Sequence, residues 1–99
     1  MKYLTHVGEI IEDELFARNK TQLWLKQKTN ISPVIINFII KGKRGINPKY
    51  ALKLEKAFGI DAEFWLTAQM NYELGKLRNA IKRRNKIKNE ISNTKRSNK

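Results

Sequence analysis

Thr21-Gln22-Leu23-Trp24-Leu25-Lys26-Gln27-Lys28-Thr29-Asn30-Ile31-Ser32-Pro33-Val34-Ile35-Ile36-Asn37-Phe38-Ile39-Ile40-Lys41 is the stretch that decides the fold. Thr21 is a helix N-cap residue, and the helix it opens runs over residues 22–28 with Leu23 and Leu25 as its apolar positions. Thr29-Asn30-Ile31 reads as a short turn, with Asn30 tolerant of the left-handed backbone such turns need. Ser32-Pro33 then opens a second helix, Ser at the cap and Pro at the first helical position, where its missing N–H costs nothing. Residues 34–40 are Val, Ile, Ile, Asn, Phe, Ile, Ile, which propensity alone makes a strand. The caps and the helical surroundings make it a helix, because a lone strand in an all-helical domain has no partner for its hydrogen bonds. Two short helices joined by a tight turn form a helix-turn-helix, whose second helix enters the major groove of DNA.

The flanks are helical too. Val7, Ile10, Ile11 and Leu15 recur at helical spacing, with Glu9, Glu12, Asp13 and Glu14 in the early turns, where acid suits the positive end of the dipole. Gly42 ends the helix after Ile40, and Lys43-Arg44-Gly45-Ile46 is a loop. Asn47-Pro48 repeats the cap-plus-proline start for a fourth helix over residues 49–58, amphipathic through Ala51, Leu54, Ala57 and Phe58. Asp61 caps a fifth, from which Phe64, Trp65, Leu66 and Ala68 are expected to enter the core. Met70, Leu74, Leu77 and Ile81 continue as a narrow apolar stripe, with Ile87 and Ile91 following on a shifted face.

The chain has 99 residues with 21 Lys and Arg, 9 Asp and Glu, and a net charge of +12. That length fits one small domain and is too short for an enzyme with a cleft between two domains. Without Cys there is no disulfide or thiolate zinc site, and stability rests on apolar burial. No signal peptide is expected, and the apolar run from Val34 is far short of a membrane span. With one His and no clustered Ser/His/Asp pattern, no catalytic or metal site is read, no cofactor is expected, and the chain is not expected to be an enzyme. His6 reads as a helix-end residue.

The charge is segregated: +1 over residues 1–31, +4 over 32–50, −2 over 51–75 and +9 over 76–99. Basic regions on either side of a near-neutral body point to a polyanion, nucleic acid before an anionic membrane surface. The domain is expected over residues 6–75, a basic helical extension over 76–92 and a disordered tail over 93–99. The basic run 76–88 is a solvated helix, an extra contact to the DNA backbone, or a nonspecific binder of RNA or membranes. Trp24 is either a core residue or an aromatic presented to DNA or a partner.

Four stretches resemble the HigA antitoxins, a branch of the Xre/lambda-repressor-like helix-turn-helix proteins. They are His6-Val7-Gly8-Glu9-Ile10-Ile11; Thr21-Gln22 with Thr29-Asn30-Ile31-Ser32-Pro33; Gly42-Lys43-Arg44-Gly45-Ile46; and the run from Phe58-Gly59-Ile60 through Glu63-Phe64-Trp65-Leu66 and Gln69 to Tyr72-Glu73-Leu74. The last is the most specific, since the general motif lacks it. The resemblance implies a five-helix all-α domain and a cytoplasmic, nucleoid-associated protein. It also implies a homodimer that binds operator DNA, represses its own operon and silences a RelE/HigB-like mRNA-cleaving toxin. Thr21, Gln22, Ser32, Pro33, Val34, Ile35, Asn37, Phe38, Lys41, Lys43 and Arg44 would then meet DNA, and Glu9, Glu12, Asp13 and Glu14 would meet the toxin. A repressor without a toxin, or an interaction module that has lost sequence readout, are the other readings.

The chain departs from the family in three ways. Lys26 stands where an Ala packs against the next helix, so the Lys is expected to snorkel. Val34, Ile35 and Phe38 stand where polar DNA-facing residues are common, which leaves direct readout to Asn37 and Lys41 with DNA shape contributing. The net charge of +12 is high for an antitoxin of a basic toxin.

Overall fold

The computed structural model describes the backbone of residues 5–97 and the side chains of residues 5–86. Five α-helices follow one another: α1 (Val7–Ala17), α2 (Gln22–Thr29), α3 (Pro33–Ile40), α4 (Pro48–Phe58) and α5 (Ala62–Ser97). There is no strand among the described residues.

Each helix boundary has a local cause. His6 caps α1: its Nδ1 accepts the Gly8 N–H at 2.9 Å, while the Glu9 carboxylate accepts the His6 N–H at 3.1 Å. Thr21, Ser32 and Asn47 cap α2, α3 and α4 through their side-chain oxygens, and Pro33 and Pro48 occupy the first helical positions. At the end of α3, Gly42 takes φ +75°, its N–H bonds the Ile39 carbonyl and the Lys43 N–H bonds the Phe38 carbonyl. This is a Schellman closure, and it turns the chain so that Lys43 and Arg44 follow directly. The first N–H of α5 is held by the Glu55 carboxylate of α4, at 2.9 Å.

The core is assembled from all five helices and centres on Trp65, which is fully buried among Phe58, Leu54 and their neighbours. The rings of Phe58 and Trp65 lie 5.6 Å apart, and the indole N–H of Trp65 donates to the Ile60 carbonyl at 3.1 Å. Val7, Ile11 and Leu15 enter from α1, Leu25 from α2, and Ile36 and Ile39 from α3. Burying a side chain such as Ile36 or Leu54 contributes about 1.5–3 kcal/mol. That outweighs the small helix-propensity deficit of a β-branched residue and explains why residues 34–40 are helical. α1 crosses the end of α3 so closely that a Cβ at Gly8 would overlap the Ile39 carbonyl oxygen.

The fold corrects several expectations. Phe64 stays outside the core, 46% exposed, stacked edge-on against Trp65. Leu23 is exposed, and the contact of α2 is carried by Leu25. Lys26 is exposed, which leaves its charged head in water. Trp24 is half-buried against Phe58, with Lys20 over its ring. The helix expected to end at residue 92 continues through residues 93–97, which were expected to be tail. Residues 98–99, and the side chains of Ile87 and Ile91, lie outside the described residues.

Candidate nucleic-acid interface

The helix-turn-helix is held rigidly from below. In the turn, Asn30 adopts φ +58° and Ile31 is buried. The Thr29 hydroxyl donates to the Leu25 carbonyl at 2.7 Å and accepts the Ile31 N–H at 3.2 Å. The Lys53 ammonium of α4 donates to the Thr29 carbonyl at 2.9 Å. No polar side-chain atom buried among the described residues lacks a partner. The angle at which α3 leaves α2 is therefore set by satisfied hydrogen bonds and a buried Ile.

With Ile36 and Ile39 inside, Val34, Asn37, Phe38 and Lys41 share the opposite face of α3 at three- and four-residue spacing. Val34 is 61% and Phe38 44% exposed. Ile35, expected beside them, instead packs half-buried against the core. Helical rotation places it at the margin of the outer face rather than at its centre. Thr21, Gln22, Ser32 and Pro33 are exposed at the starts of α2 and α3. The Thr21 and Ser32 hydroxyls accept the backbone N–H of Trp24 and Val34. They keep their hydroxyl protons as donors toward a phosphate.

Lys41, Lys43 and Arg44 are exposed just beyond the helix. Arg44 is positioned by a residue that the sequence reading passed over: its guanidinium lies 5.3 Å from the Tyr50 ring centroid. The loop itself is tied to α5, where the Gln69 side-chain oxygen accepts the Ile46 N–H at 3.0 Å and the Gln69 amide donates to Glu73 at 2.7 Å. Tyr72, one turn on, meets His6 edge-to-face at 4.7 Å. Gln69 and Tyr72 belong to the run that carries the most specific resemblance; the sequence offered them as motif letters without a role.

The acids of α1 do not form one cluster. Glu12 and Asp13 are exposed, Glu9 closes the capping box, and Glu14 pairs with Arg18 at 3.1 Å. His6 is buried, and its pKa is lowered from the usual 6.5 by desolvation, with Glu9 opposing and Lys76 reinforcing the shift. Among the described residues, no helix is long and apolar enough to cross a membrane.

Residues 15–65 match the helix-turn-helix family. Virulence-associated protein A' of Dichelobacter nodosus is 36% identical over 78% of this chain and 68% of its own length. The solved structure of an addiction module antidote protein of the HigA family from Coxiella burnetii is 33% identical, with a TM-score of 0.73 over 84% of this chain and 92% of that one. The Pseudomonas aeruginosa antitoxin HigA, solved with the higBA promoter, is 29% identical, with a TM-score of 0.75 over 82% and 89%.

Proposed function

Because the chain belongs to the HigA branch of the helix-turn-helix family, we propose that it is an antitoxin that binds operator DNA as a homodimer and represses its own operon. One observation carries the reading. α3 projects Val34, Asn37, Phe38 and Lys41 from a turn fixed on both sides, with Lys43 and Arg44 placed directly after it. Asn37 can pair in bidentate fashion with adenine, Val34 and Phe38 can lie against thymine methyls, and the cations neutralise phosphates. DNA binding is supported by the Pseudomonas aeruginosa neighbour, whose structure holds its promoter.

The dimer is supported by α5, whose Met70, Leu74, Leu77 and Ile81 form an exposed apolar stripe. A second copy covers such a stripe, and two recognition helices then read half-sites about one turn of DNA apart. Neutralisation of a RelE/HigB-like mRNA-cleaving toxin belongs to the same reading, with Glu12 and Asp13 as the exposed acids available to a basic toxin. A cytoplasmic, nucleoid-associated protein follows from operator binding.

A gel-shift titration on the chain's own promoter tests the DNA claim. Specific binding is expected, and binding no tighter than to scrambled DNA would overturn it. Co-expression with the product of an adjacent small basic reading frame tests the toxin claim: growth is restored if this chain is the antitoxin. Without rescue, the repressor reading stands alone.

A further inference from the structure

The larger share of the charge lies outside the helix-turn-helix, and part of it is gathered on one face of α5, while Arg78, Lys82 and Arg84 fall elsewhere around the helix. α5 is one unbroken helix from the core residue Trp65 into the basic extension. At about 100° per residue, Tyr72, Lys76, Asn79 and Arg83 fall on one face, and Lys86 lies at its edge. Met70, Leu74, Leu77 and Ile81 fall on the opposite face. The basic face is thus separate from the stripe assigned to the second copy.

This face is also continuous with the recognition loop. Lys76 lines the same cleft as Lys43 and Arg44, over the ring of Tyr72. The next groove along the helix is lined by Tyr72, Lys76, Asn79 and Arg83. Glu73, the acid in the cleft, accepts from Gln69. Lys76, Asn79, Arg83 and Lys86 are all exposed. A run of cations that begins at a phosphate-facing loop and leads away from it on a rigid helix complements a second stretch of the same polyanion.

We infer that the Lys76–Asn79–Arg83 face of α5, with Lys86 at its edge, is a second, sequence-independent contact to duplex DNA, gripping backbone phosphates that flank the segment read by α3. This rests on the operator-binding reading for its location, but its own signature is electrostatic. Each phosphate neutralised releases counterions, so each contact adds about 0.9 to the slope of log affinity against log salt.

The test compares the full chain with a Lys76→Gln/Arg83→Gln/Lys86→Gln variant by fluorescence anisotropy across salt concentrations. The probes are a long duplex of the chain's own promoter, the same duplex trimmed at its flanks, and a scrambled long duplex. Expected results are a salt slope shallower by about 2–3 per protomer for the variant on both long duplexes, and little difference between variant and parent on the trimmed one. The preference for promoter over scrambled sequence should be retained. A Lys76→Arg/Arg83→Lys variant should keep the parental slope, which separates charge from any effect on folding. An unchanged slope in the glutamine variant overturns the inference. So does a slope that falls equally on the trimmed duplex, which would place the contact inside the segment read by α3. If the parent shows no preference for its promoter, the operator reading fails, while the scrambled duplex still decides the contact made by α5.

Discussion

Gln69 reaches from α5 to accept the backbone N–H of Ile46 at 3.0 Å, across 23 positions of sequence. Through that bond the long helix fixes the loop that presents Lys43 and Arg44. Gln69→Ala leaves a half-buried N–H without its partner, a cost of about 1–3 kcal/mol. Chemical denaturation should show that loss, and hydrogen exchange should show the Ile46 amide deprotected well before the core amides. Retained protection at Ile46 would mean that another group holds the loop.

Gly8 sits where α1 meets the end of α3, and a methyl there collides with main chain rather than with a movable side chain. Gly8→Ala is therefore expected to destabilise by about 3 kcal/mol, the upper end of overpacking costs. A denaturation midpoint within error of the parent would show that the two helices separate easily.

His6 makes stability depend on pH. Its lowered pKa means that the native protein keeps the ring neutral, with the proton on Nε2, while the unfolded chain takes up a proton near pH 6.5. The contribution is complete above that value. It declines as pH falls from about 6.5 toward the native pKa, and it changes no further below that. Urea midpoints measured from pH 8 to pH 5 should trace this decline. In His6→Asn, which retains a capping oxygen, the part due to His6 should vanish.

Asn37 and Lys43 should fail in different ways. Asn37→Ala removes a base contact and is expected to cost about 1–3 kcal/mol on the promoter, with little change on scrambled DNA. Lys43→Ala should weaken both duplexes alike and lower the salt slope by about 1. Anisotropy on the two probes separates these outcomes, and equal losses on both for Asn37→Ala would remove it from sequence readout.

Leu74→Glu places a charge in the apolar stripe of α5. Sedimentation should report a monomer with unchanged helix content, and promoter affinity should fall at least tenfold. A variant that still dimerises would move the interface elsewhere.

The caps were legible because they are local. Thr21, Ser32-Pro33, Asn47-Pro48 and Gly42 each declare a helix end through their own backbone preferences, and every one lies where expected. Asn30, read as a left-handed turn residue, has that conformation. Side-chain placement was less legible. Ile35 and Phe64 are as apolar as their buried neighbours, and only the rotation of each helix against the others decides which one faces in. The C-terminus was less legible too: residues 93–97 carry no apolar side chain and were expected to be tail, yet the helix continues through them. The ties from Gln69 to Ile46 and from His6 to Tyr72 span the chain, so no local pattern reveals them.

The unbroken course of α5 makes the distance and the phase between the core and the basic face a fixed quantity. Nothing in the helix between Trp65 and Arg83 interrupts its turn. One residue inserted after Leu77 would swing Asn79 and Arg83 about 100° around the axis and away from the loop. Seven inserted residues would return them to within about 20° of their bearing, displaced by about 10 Å along the axis. The molecule thus measures its flanking contact in whole turns of a helix. A series of insertions should restore DNA affinity periodically rather than lose it in proportion to length.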